Sequence, residues 1–175
     1  MKLLEHTPER ALVALGDGGE KGGSNDGAFD DNMNIPKPGT LLFTFAKSEA
    51  MVQPLFSWGA WDTMIWPVSV YLGSFLEKHA AEYVLGKRIV ELGAGLGVPG
   101  MSCACNGASD VVLTECGNSL AHLSDAIKEN FPRQGAVTPR CRELDWADEA
   151  TVGAFSSEFS AQLILCADGI STDVS

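Results

Sequence analysis

Four short apolar runs punctuate the second half of the chain: Arg88-Ile89-Val90-Glu91-Leu92, Val111-Val112-Leu113-Thr114-Glu115, Val137 to Leu144, and Leu163-Ile164-Leu165-Cys166-Ala167. Their length and β-branched content mark buried strands. Segments 99–106, 118–130 and 148–159 between them carry helical periodicity. Regular alternation of strand and helix calls for a parallel sheet with helices on both faces, joined by right-handed crossovers. The expected fold class is therefore α/β, a doubly wound, mainly parallel sheet.

Upstream the pattern changes. Val68, Tyr71, Leu72, Phe75 and Leu76 fall at helical spacing behind Pro67, which suits the first turn of a helix of about three turns. Leu41–Ala46 and Met51–Phe56 flank a polar Lys47-Ser48-Glu49 turn and read as a β-hairpin. Leu3, Leu4, Ala11, Leu12 and Leu15 suggest a short, weakly amphipathic helix. Six glycines in residues 16–27, mixed with Asp17, Glu20 and Asp26, cannot bury enough apolar area to offset backbone ordering. Residues 1–39 are thus expected to be a flexible segment, and 40–175 an ordered domain comprising a hairpin at 40–57 and an α/β part at 61–175.

At 175 residues the chain suits one such domain. Twelve Lys and Arg against 23 Asp and Glu give a net charge of −11, which disfavours general attraction to nucleic acid or to an anionic membrane. No apolar stretch approaches the roughly 20 residues of a bilayer span. The five cysteines are odd in number and lie mostly inside apolar runs, which points to reduced structural thiols rather than a metal site or a disulfide framework. His6, His79 and His122 are scattered and read as surface residues.

In doubly wound sheets ligands bind beyond the carboxyl ends of the strands, so the residues that end each run carry the chemistry. Every run here ends in an acid: Glu91, Glu115, Asp145 and Asp168. At an effective dielectric of about 20, a unit charge pair at ~4 Å is worth roughly 4 kcal/mol, attractive toward a sulfonium or ammonium and repulsive toward a pyrophosphate. The first strand leads into Gly93-Ala94-Gly95-Leu96-Gly97-Val98-Pro99-Gly100, a turn whose glycines admit close approach of a ligand to the backbone. Gly95, Gly97 and Gly100 also meet the dinucleotide G-x-G-x-x-G spacing, with Glu115 placed to take ribose hydroxyls. An NAD-dependent dehydrogenase is therefore one reading, ranked last because of the acids around its phosphate site.

Taken in order, the motifs between Trp61 and Asp168 resemble the seven-β-strand, class I S-adenosylmethionine-dependent methyltransferases, and within them the protein-lysine methyltransferase-like family. Ile65-Trp66-Pro67-Val68-Ser69 looks like that family's Trp-Pro entry helix, and Gly86 to Gly97 like its cofactor motif. Leu113-Thr114-Glu115, Leu144-Asp145-Trp146 and Ile164-Leu165-Cys166-Ala167-Asp168 resemble the ribose, adenine and active-site strands. The resemblance implies a Rossmann-like sheet and S-adenosyl-L-methionine as cofactor. It implies cofactor contacts from Trp66, Glu91, Gly93, Gly95, Gly97, Glu115, Asp145 and Trp146, with Asp168 as the catalytic acid. No metal is implied.

The activity that follows is methyl transfer to a protein side-chain nitrogen, lysine first, with arginine or a small-molecule amine as alternatives. A rival of another class is a non-catalytic interaction module, suggested by Asp168-Gly169-Ile170-Ser171, where the family's usual aromatic is replaced by Ser171, and by the family's later strands having no counterpart before Ser175. The sheet is accordingly expected to be incomplete after its fourth strand, with a free edge prone to self-association. A protein substrate and a location in cytoplasm or nucleus complete the expectations.

Overall fold

The computed structural model describes residues 65–131 and 136–169 in full, together with the backbone of strands at 2–7, 10–15 and 41–46. The strands are β1 (Lys2–Thr7), β2 (Arg10–Leu15), β3 (Leu41–Ala46), β4 (Arg88–Leu92), β5 (Asp110–Glu115), β6 (Arg140–Glu143) and β7 (Leu163–Cys166). The helices are α1 (Pro67–Lys78), α2 (Ala80–Tyr83), α3 (Val98–Cys105), α4 (Ser119–Asn130) and α5 (Glu149–Glu158).

The four runs of the second half form one parallel sheet in the order β6-β5-β4-β7. The central strands are the most apolar: Ile89 to Glu91 of β4 and Val111 to Thr114 of β5 are all buried. The outer strand β6 is the most polar, with Arg140, Arg142 and Glu143 exposed, as suits an edge that must not recruit further strands. β7 is paired with β4 alone among the described residues, and its Ile164 is 62% exposed.

Ile89, Val111 and Leu113 project from one face into a core shared with Val98, Met101 and Ala104 of α3, Leu123, Ala126 and Ile127 of α4, and Val70 and Leu76 of α1. Full burial of a side chain such as Met101, Leu113 or Leu123 stabilises by about 1.5–3 kcal/mol each. The other face is thinner. It presents Val112 toward α5, which has no buried residue, and a cavity of about 100 Å³ remains there, lined by Val112, Arg140, Arg142, Phe155, Glu158 and Phe159.

Two expectations are corrected. The face of α1 that turns inward is Val70, Gly73 and Leu76, while Val68, Tyr71 and Phe75 lie outside, Tyr71 at 70% exposure. The cause is close helix packing: Ser102 Oγ of α3 donates to the Gly73 carbonyl at 3.0 Å, an approach for which small residues are needed. The expected helix across Leu3 to Leu15 is instead a pair of antiparallel strands, paired from Lys2↔Ala14 to Thr7↔Arg10 with a shift of register between Glu5 and Thr7. Pro8 accounts for this, because the residue before a proline is driven from helical to extended backbone. β3 then pairs along its whole length with β2, from Leu15↔Leu41 to Arg10↔Ala46. Met51–Phe56 and the glycine-rich linker lie outside the described residues.

Candidate functional site

The carboxyl ends of β4, β5 and β7 converge on the glycine turn. After Leu92 the backbone passes through left-handed conformations at Gly93, Gly95 and Gly97 (φ +60°, +55° and +75°), which only glycine adopts without cost. Ala94 N–H donates to the Thr114 carbonyl at 3.0 Å and Gly97 N–H to the Ala94 carbonyl at 2.8 Å, so the turn is fastened to β5 before α3 begins. Gly95 faces open space, with nothing within 4 Å of where a Cβ would stand, whereas a Cβ at Gly97 would come within 2.9 Å of Leu113 and Leu123. One glycine thus admits a ligand and the other admits the core.

Glu115 ends β5 half-buried. Its Oε1 accepts from Gly95 N–H at 2.7 Å and its Oε2 from Cys116 N–H at 3.1 Å, so the acid expected to hold ribose hydroxyls is already aimed at the turn. Asp145 is exposed and accepts from Ala147 N–H at 2.9 Å, shaping the loop that presents Trp146. The Trp146 ring is 49% exposed, and its edge lies 3.3 Å from Cβ positions built at both Gly93 and Gly169. The structure puts this side chain across the glycine turn.

Asp168 follows β7, exposed, at φ +59°, the one non-glycine with positive φ among the described residues. Strain of this kind persists where surrounding structure imposes it, and it gathers at functional positions. Carboxylates dominate this edge: burial together with Glu115, Asp145 and Glu143 pushes the Cys116 thiol above its ordinary pKa. Trp66 is the N-cap residue of α1, half-buried, its carbonyl accepting from Ser69 N–H at 3.0 Å.

Glu91 is placed differently from its expected role. It shares the core-facing side of β4 with Ile89, two residues earlier, and is 1% exposed. Its Oε2 accepts from Gly100 N–H at 2.8 Å. Burial, partly opposed by that bond and reinforced by Glu115, pushes its carboxyl up to about 8. The period of two along β4 was the sequence signal for this. Sequence reasoning also left out Thr114, whose buried Oγ1 donates to the Glu91 carbonyl at 2.8 Å, and Gly169, where a Cβ would strike Cys166 Sγ.

The donor and acceptor set suits a nucleoside bearing positive charge: an open glycine backbone, a carboxylate beneath it, an aromatic edge and an exposed acid at the last strand. Among the described residues no group of three or more His, Cys, Asp or Glu could hold a metal, and no helix is long and apolar enough to cross a membrane.

A family profile described as lysine methyltransferase matches residues 59–173. The protein N-terminal and lysine N-methyltransferase of Debaryomyces hansenii is 40% identical over 93 residues, 53% of this chain and 33% of that protein. The protein N-lysine methyltransferase of Danio rerio is 34% identical over 85 residues, 49% of this chain and 38% of that protein. A 16S rRNA methyltransferase of T. thermophilus, solved with AdoMet and guanosine, superposes with a TM-score of 0.49 at 21% identity, covering 77% of this chain and 31% of that one. The chain spans about a third of the length of the curated relatives it matches.

Proposed function

The chain belongs to the lysine methyltransferase family, and from that premise we propose that the protein transfers a methyl group from S-adenosylmethionine to a side-chain nitrogen of a protein substrate, lysine being the acceptor. The observation that carries this reading is the pairing of Gly95, open to a ligand, with the Glu115 carboxylate 2.7 Å from its amide. A ribose lying over that turn meets two carboxylate oxygens, each with acceptor capacity left beside its backbone bond.

The cofactor supplies an electrophilic methyl on a sulfonium. The residues of this chain bind and orient around it. Glu115 accepts from the ribose hydroxyls, Asp145 from the adenine amine, and Trp146 offers an apolar edge beside the ring. Asp168 receives the acceptor nitrogen and aligns it, since in-line attack requires an approach of roughly 3–3.5 Å. A lysine amine, with an unperturbed pKa of about 10.4, must shed its proton first, and partial desolvation at the closed site lowers that cost.

A protein's α-amine is a second acceptor, favoured by the N-terminal methylation named for the Debaryomyces relative. Its lower pKa, about 8, eases deprotonation. The five cysteines are not joined in disulfides, which supports a reducing compartment, the cytoplasm or nucleus. Calorimetric titration with S-adenosylhomocysteine beside NAD tests the cofactor assignment: binding of the first and not the second is expected, and the reverse would sink it. Mass spectrometry of proteins methylated by this protein separates lysine from α-amine.

A further inference from the structure

α3 starts without a cap of its own. Its N-cap residue is Gly97, which has no side chain to offer, and its second helical residue, Pro99, has no N–H. The next donor, Gly100 N–H, would be an orphan of the first turn. It is satisfied from another element, by Glu91 Oε2 of β4 at 2.8 Å. The fit leaves no slack, because a Cβ at Gly100 would stand 2.8 Å from that oxygen and collide with Leu113 Cδ2. The Glu91 carbonyl is held as well, accepting from Thr114 Oγ1.

We propose that Glu91 is a positioning residue: its carboxyl caps the first turn of α3 from the neighbouring strand and thereby sets the Gly93–Gly97 backbone, acting on the cofactor only through that turn. The part that concerns the cofactor rests on the function proposed above. Glu91 is buried, and the titratable groups facing it are Glu115 of β5 and Cys103 of α3, neither of which supplies a positive charge to hold an anion. A carboxylate contacting a cationic cofactor would need its charge; a cap needs only an acceptor oxygen. Glutamine retains that oxygen, so Glu91→Gln separates the two roles, and Glu91→Leu removes both.

In the 175-residue chain, Glu91→Gln should keep Gly100 amide protection and S-adenosylhomocysteine affinity at pH 7 within about twofold of wild type, while Glu91→Leu should speed Gly100 exchange and weaken binding by about tenfold or more. Melting supplies a readout that needs no cofactor. The folded-state pKa lies above the unfolded one, so the folded protein binds the extra proton between the two. The stability associated with neutral Glu91 is therefore full below pH 4.5, falls as pH rises to about 8, and is flat above. Wild type should lose melting temperature relative to Glu91→Gln across that window alone. A tenfold loss of affinity in Glu91→Gln with Gly100 still protected would overturn the proposal, as would a parallel pH course for the two proteins. Failure of wild type to bind S-adenosylhomocysteine at all would instead refute the proposed function, leaving exchange and melting to decide the cap.

Discussion

In the proposed function the Glu115 carboxylate has two tasks, holding the protein's own turn and receiving the ligand above it. Its oxygens already take the Gly95 and Cys116 amides, and on the proposed function charge-assisted bonds from ribose hydroxyls would add to these. Glu115→Ala should weaken S-adenosylhomocysteine binding by roughly 1.5–3 kcal/mol, read by calorimetry with the melting temperature as a control on folding. Unchanged affinity would reassign Glu115 to holding the turn. Asp168 presents the opposite balance, since its left-handed backbone is a cost that its carboxylate must justify. Asp168→Gly should raise the unfolding free energy by about 1 kcal/mol, because glycine adopts that conformation freely, while methyl transfer collapses. Denaturant midpoints and turnover measured side by side check the trade. A variant that gained stability and kept its turnover would remove Asp168 from the site.

The two helices that flank the site begin by contrasting means. α5 caps itself: Asp148 Oδ1 accepts from Ala150 N–H at 3.0 Å and Thr151 N–H at 3.3 Å, and bonds to Thr151 and Ala150 hold its carboxyl below the ordinary value of 3.8. Because α5 buries no residue, the cap matters more there than in a helix anchored by packing. Asp148→Ala should fray its first turn, with faster amide exchange at Ala150 and Thr151 and little change in α3. The same fraying should appear in wild type as pH falls through the depressed folded pKa, since the cap's contribution is present above the unfolded value and lost below. Legibility followed the same divide. β4, β5, α3 and α4 were readable because each carries a strong period between clear breaks. The inward face of α1 was not, because its largest apolar residues, Tyr71 and Phe75, lie outside, while Gly73 earns its buried place through smallness. The strands β1 and β2 were misread as helix because leucine spacing was weighed above the signal of Pro8.

At the scale of the molecule, charge among the described residues is sorted by the two ends of the parallel strands. Lys87, Arg88 and Arg140 stand at the amino ends of β4 and β6, with Asp110 paired to Arg140, whereas Glu115, Glu143, Asp145 and Asp168 occupy the carboxyl ends. That asymmetry was readable because strand ends can be located from pattern alone, and with it the glycine turn and three of the four strand-end acids. The orientation of Glu91 escaped because one position along a strand exchanges core for rim. The contact of Trp146 escaped too, since nothing in linear order announces that one ring will touch glycines 53 and 23 residues away on opposite sides. That ring makes the loops after β4 and β7 thermodynamically dependent on each other. A Cβ at Gly93 or at Gly169 must push the same indole edge, so once one methyl has displaced it the second meets less resistance. In a double-mutant cycle, Gly93→Ala and Gly169→Ala should therefore cost less together than the sum of their separate costs, by about 0.5 kcal/mol or more, with each residue's private strain cancelling from the difference. In a Trp146→Ala background the same cycle should become additive, which would identify a single indole as the link through which one loop registers a change in the other.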